Sequence, residues 1–199
     1  VFITGDPLKM SPTYPRSTAV FDLDSVAMIG YTHRFLNAGV DFGAVPLGKH
    51  ADPRTHFTIG AGFEPEALDM EHEVDKLKRK IDNGVDYIMT QPTFRYEPLD
   101  VLDPYRKQVK VLIGVMILTS LEHAKRVAEV PGVIVPDAIF ERLGAHEKIE
   151  DQAKVGKDIA IEQASWVKRE RWSGLYLMSP ATHRPVIEVL KSVMNRKVY

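Results

Sequence analysis

Five short apolar runs, separated by longer amphipathic segments, limit what this chain can fold into. Residues 1–4, 56–61, 87–90, 111–117 and 174–178 are rich in Val, Ile, Phe or Tyr and are bounded by Gly, Pro or polar residues. Runs of that length and composition read as strands. Their near-continuous hydrophobicity predicts strands covered on both faces, as in a parallel sheet.

The segments between them carry helical periodicity. Asp24 or Ser25 can cap a helix that runs to about Asn37, with Gly39 after it. Residues 66–83 place Leu68, Val74, Leu77 and Ile81 at three- to four-residue intervals and end at Gly84. Ser120 caps a helix over 120–130, Pro136 opens another, and 149–166 and 181–194 read as two more. Strand, loop and helix repeated about five times define an α/β chain. Two architectures fit: an open doubly wound sheet, and a (βα)8 TIM barrel represented by five of its units. A whole barrel typically takes about 250 residues, and periodicity alone does not choose between the two.

Composition removes several function classes. Charge is balanced, with 26 basic against 27 acidic residues, which argues against a general nucleic-acid or membrane surface. There is no cysteine, so disulfides, thiolate metal sites and cysteine nucleophiles are excluded, and a reducing compartment fits. No apolar run approaches the roughly 20 residues of a membrane span. The beginning lacks the basic leader of a signal peptide and brings Asp6 and Pro7 too early.

In either architecture ligands gather at the carboxyl ends of strands. Asp6 follows the first run, where a carboxylate can accept from a ligand or simply form the Gly-Asp-Pro turn. Gly60 and Gly62 close the second and permit close backbone approach, but a third glycine is missing from any dinucleotide fingerprint, and Glu64 and Glu66 would repel phosphate. Lys76 and Lys80 lie one helical turn apart, able to line a diphosphate or a solvated face. Gln91 ends the third run, and its amide can both donate to and accept from a heterocycle edge. The seven histidines are scattered without a tight ligand pair, which points away from a metal site. Ser179 and His183 lack an acid partner and a nucleophile elbow, so a serine hydrolase is discounted.

The stretches TGDPLKM, VFDLDSV, LKRKIDNGVDYIMTQPTF, IGVMILTSLEHAKRV and GLYLMSP, in that order, resemble the methylenetetrahydrofolate reductase family over almost the whole chain. TGDP and YLMSP look closest to a bacterial branch often fused behind a homocysteine methyltransferase module. The resemblance implies one partial (βα)8 barrel domain over 1–199, supplying about strands 4–8, with Asp6 at the end of the fourth strand. It implies a cytoplasmic flavoprotein of one-carbon metabolism and methionine biosynthesis, with FAD as cofactor and NADH or NADPH as co-substrate, reducing 5,10-methylenetetrahydrofolate to 5-methyltetrahydrofolate. Asp6 matches the family's aspartate near flavin and pterin. Gln91 and Val127 match folate-contacting positions. Thr4, Phe21, Asp24, Gly62, Phe63, Glu64, Glu73, Lys76 and Lys80 match positions around the flavin, its ribityl chain and its diphosphate.

Three departures qualify the match. Thr4 stands where many members carry Arg, Glu64 where many carry Tyr or Asn, and the family's general-acid Glu would precede Val1. A barrel short of three strands exposes two unpaired edges. The expectation is therefore a homo-oligomer or a longer polypeptide supplying the remaining strands, with no stable reductase from 199 residues alone. The rival readings are a non-catalytic flavin- or folate-binding subunit that partners a methyl- or electron-transfer protein, an aldolase-like phosphate-binding barrel, which no strand-end Lys supports, and an inert remnant.

Overall fold

The structure, a computed structural model, describes residues 1–3, 22–48, 52–180 and 182–195. Thr4, Asp6 and Phe21 lie outside the described residues. Four strands, β1 (Gly60–Phe63), β2 (Tyr87–Pro92), β3 (Lys110–Met116) and β4 (Gly174–Met178), form a sheet in the order β1-β2-β3-β4. The strand order follows the chain without reversal. A doubly wound sheet reverses at a switch point, whereas successive barrel units do not. The sheet is an arc of a (βα)8 barrel, and the open alternative is set aside.

The backbone divides into two compact units, Val1–Gly62 with Val74–Ile88, and Phe63–Glu73 with Met89–Tyr199. In the first, α1 (Ser25–Arg34) begins where the Asp24 carboxylate accepts from the Ala27 N–H at 2.7 Å. A 3-10 turn, Leu36–Ala38, follows and ends at Gly39, whose φ of 83° only glycine adopts cheaply. Phe2 bridges Ala61 in parallel, its N–H donating to the Gly60 carbonyl at 2.8 Å. The expected strand over 56–61 is displaced: ladder pairing begins only at Gly60, and Asp86 instead holds the Ile59 N–H at 2.6 Å.

In the second unit, β3 and β4 pair in parallel, with Leu112 opposite Gly174 and Met116 opposite Met178. They are joined through α3 (Leu121–Ala128), α4 (Asp137–Gly144) and α5 (Ile149–Arg169), and α6 (Arg184–Asn195) follows β4. Ser120 caps α3 through the His123 N–H at 3.1 Å, and Pro136 is the N-cap of α4. Helix α5 packs on β3, β4 and α6. One apolar cluster gathers Leu118, Ala124, Val127, Val133, Leu143 and Ile159. Another joins Val115 and Ile117 to Ala160, Ala164, Val189 and Val193. Burying a side chain of this kind stabilises by about 1.5–3 kcal/mol.

Helix α2 (Met70–Asp82) starts four residues later than its periodicity suggests. Pro65 and Glu66 form a turn, and Asp69 makes the start, accepting the His72 N–H at 2.9 Å. Leu68 therefore leaves the helical face it was expected to join and is fully exposed, at 107%. A 3-10 helix, Glu97–Tyr105, was not anticipated. It buries Leu99 and Leu102, three residues apart, the spacing at which a 3-10 helix repeats.

Candidate functional site

In the first unit, strand β1 brings Gly62 to its carboxyl end. Among the described residues, a Cβ added there would meet nothing within 4 Å, whereas one at Gly60 would strike the Tyr87 ring at 2.4 Å. The backbone of Gly62 thus borders open space. Its carbonyl accepts from Lys80 Nζ at 2.7 Å, and Lys80 is buried, 3% exposed. Lys80 is thereby directed at a backbone carbonyl, and of the two lysines Lys76 retains more solvent contact. Asp24 caps α1 and lies 3.9 Å from Arg79, both exposed. A largely apolar cavity of about 450 Å3 also opens in this unit, lined by residues including Phe2, Met28, Tyr31, Phe57 and Ile59. Among the described residues, none of those singled out from the sequence lines it.

In the second unit, Phe63 is buried at the end of β1, and the exposed Glu64 donates its N–H to the buried Glu73 carboxylate at 3.2 Å. Val127 is 6% exposed and packs in the α3–α4–α5 cluster. Gln91 is exposed, while Thr90, Pro92, Thr93 and Phe94 around it are buried. The strand thus offers one amide outward from a fixed backbone.

That backbone is fixed by residues whose role sequence reasoning missed. The Thr90 hydroxyl accepts the Gly114 N–H at 2.8 Å. The Thr93 hydroxyl lies 3.2 Å from Glu66 Oε1 and 2.8 Å from the Arg95 carbonyl, and its one proton can be donated to either. Glu66, its side chain 1% exposed, pairs through Oε2 with the Arg95 guanidinium. Gln163 of α5 donates Nε2 to the Thr93 carbonyl at 2.9 Å. Glu66 had been expected only to repel phosphate. Its partners lie 27 and 29 residues away, beyond any local pattern.

His123, buried at the start of α3, accepts the Thr119 N–H on Nδ1 at 3.2 Å, which puts its own proton on Nε2. Burial holds its pKa below the ordinary 6.5, with the nearby Arg126 adding in the same direction.

The sequence pattern of the methylenetetrahydrofolate reductase family matches residues 49–193, well over half of the chain. The chain belongs to that family. A search of curated proteins finds no match. Among solved structures, an uncharacterized protein from Clostridium thermocellum that binds two copies of 5-methyl-5,6,7,8-tetrahydrofolic acid is similar. The identity is 17% and the TM-score 0.46, over 67% of this chain and 51% of that one. The chain thus spans about half the length of that structure. Among the described residues no helix is long and apolar enough to cross a membrane.

Proposed function

We propose that this chain carries out, as part of a flavoprotein, the reduction of 5,10-methylenetetrahydrofolate to 5-methyltetrahydrofolate, with FAD as the bound cofactor and NADH or NADPH as donor. Membership of the reductase family over 49–193 is the observation that carries this reading. The residues present fit a flavin. Gly62 borders open space where a side chain would obstruct a flat ring, and of Lys76 and Lys80 it is Lys76 that stands nearer solvent. Asp24 and Lys80 in the first unit, and Phe63, Glu64 and Glu73 in the second, are assigned to the flavin by the family resemblance, Lys80 through the carbonyl it holds. Asp6, Thr4 and Phe21 enter through the family resemblance.

When bound, the flavin supplies hydride transfer between the two substrates. The protein's part is to bind and orient. The Gln91 amide reads the donor–acceptor edge of the pterin, because an amide presents a donor and an acceptor side by side on one plane. Its exposure on an otherwise buried strand end lets the folate reach it without displacing the core. By the family resemblance, the negative charge of Asp6 would tune the flavin and help bind the ring edge of the pterin. Holding the reacting groups in line can supply about 7–11 kcal/mol of such a barrier at most.

The test uses the full native polypeptide loaded with FAD. Reduced nicotinamide should bleach the flavin band under anaerobic conditions, and methylenetetrahydrofolate should restore it. Flavin uptake without nicotinamide oxidation would replace the reductase reading with that of a flavin- or folate-binding subunit. No flavin uptake would refute both.

A further inference from the structure

The second unit holds a polar cluster that packing does not require. Glu66 is a carboxylate with a 1% exposed side chain, and Gln163 is an amide 5% exposed on α5. Gln163 Oε1 is buried without a hydrogen-bond partner among the described residues. An unsatisfied interior acceptor is unfavourable, and an apolar residue of the same length would avoid it. What the amide gains is the 2.9 Å bond from Nε2 to the Thr93 carbonyl. Glu66 Oε1 is within reach of the hydroxyl of that same residue, which can donate to it or to the Arg95 carbonyl, and Oε2 accepts from the guanidinium of Arg95. Thr93 is thus held through its carbonyl and its hydroxyl, from two different elements.

Two residues earlier stands Gln91. Gly114 of β3 closes on the residues just before Thr93. A Cβ there would fall 2.4 Å from the Thr90 carbonyl oxygen and 2.8 Å from that of Gln91. The backbone from Thr90 to Arg95 is therefore gripped on both sides of the single exposed amide.

We propose that Glu66, Thr93 and Gln163 form a clamp that positions Gln91 for the pterin edge, making them positioning residues for folate selection. This rests on the reductase reading for what Gln91 contacts. The clamp itself rests on hydrogen bonds within one compact unit. Buried polar groups that cost stability persist where a neighbouring geometry must be held. A strand end whose amide swings loses orientation, and with it the discrimination that paired hydrogen bonds provide.

The experiment pairs a structural and a functional readout on the full FAD-loaded polypeptide. Thr93→Val and Gln163→Met remove the clamp's hydrogen bonds with little change of shape, and Thr93→Ser restores the hydroxyl. Hydrogen exchange of the Gln91–Arg95 amides should quicken in Thr93→Val and Gln163→Met and recover in Thr93→Ser. Binding of 5-methyltetrahydrofolate should weaken about fivefold, the factor of one neutral hydrogen bond, while nicotinamide reduction of the flavin stays unchanged. In a Gln91→Ala background the Thr93→Val loss should vanish, since the clamp acts only through that amide. Equal losses with and without Gln91, or a matching slowing of flavin reduction, would make these residues merely structural and overturn the proposal. A wild type that binds no folate while exchange quickens in the variants refutes the reductase reading and takes the positioning role with it. Weaker folate binding with unchanged exchange overturns the clamp alone.

Discussion

Gly156→Ala sets two effects of opposite sign against each other at one position. Gly156 lies inside α5, and replacing an interior helical glycine by alanine normally stabilises by up to about 1 kcal/mol. Here an added Cβ would sit 1.9 Å from the Leu118 carbonyl oxygen, 2.7 Å from its carbon and 3.1 Å from Leu118 Cβ. Ordinary contact begins near 3.4 Å, so helix and loop must part by about 1.5 Å. The obstacle is backbone, directly after β3, and cannot swing aside as a side chain would. Moving α5 also disturbs Ile159, Ala160 and Ala164. Overpacking of this kind costs about 1–3 kcal/mol, and a rigid obstacle puts it at the upper end. The net expectation is a loss of about 2 kcal/mol, or roughly 4–8 °C in Tm for a chain of this size. Gln163 lies two turns further along the helix, so the same variant should weaken the Thr93 bond and folate binding. Thermal unfolding by circular dichroism measures the first effect. Gly62→Ala, with open space around its Cβ, is the control whose core packing should not change. A Gly156→Ala melt at or above wild type would show that the approach of α5 to Leu118 is not a close one, and would refute the reasoning.

Lys80→Met keeps the length of a buried side chain and deletes the donor to the Gly62 carbonyl. Denaturant unfolding should show a loss of about 2 kcal/mol, the usual worth of a charged hydrogen bond, and an unchanged midpoint would mean the lysine is not needed there. His123 is held below its ordinary 6.5, so below that pH the unfolded chain takes up a proton that the folded one refuses. Stability should therefore fall as pH drops from about 6.5 toward the lower folded value, and His123→Gln should flatten that slope in melts run across the range. Asp24→Ala removes the acceptor for the Ala27 N–H and should cost about 1 kcal/mol. Asp24→Asn, which keeps an acceptor oxygen, should cost little in the same melts.

Where backbone chemistry is local, the amino-acid order was enough to read the fold. Residues 174–178 form β4 as expected, Ser120 caps α3, and glycines with positive φ end the turn after α1 and follow α2 at Gly39 and Gly84. The error at the start of α2 has a physical origin. Residues 66–69 carry helical periodicity, but the Glu66 carboxylate finds a stronger partner in Arg95 than a first helical turn can offer, and the chain turns to let it. Leu68 goes outward as a consequence. The expected strand over 56–61 slipped for a related reason, since a run of β-formers becomes a strand only where a neighbour supplies its ladder, and that begins at Gly60.

The candidate site divides along the same line. Gln91 stands out in the sequence because a polar residue ends an apolar run, and the structure leaves it exposed there. Lys80 stands out by charge, yet its head group is turned to a backbone carbonyl. Charge spacing on a helix says which side chains share a face, not whether that face is wet or packed. The groups that fix Gln91 are a turn glutamate, a threonine after a proline and a mid-helix glutamine, types found at many unremarked positions. Their meaning comes from meeting at Thr93 across separations of up to 70 residues. What binds a ligand can be sought in a local pattern, because it must differ chemically from its neighbours. What positions it need differ from nothing nearby, and becomes visible only when the fold brings it to the strand it holds.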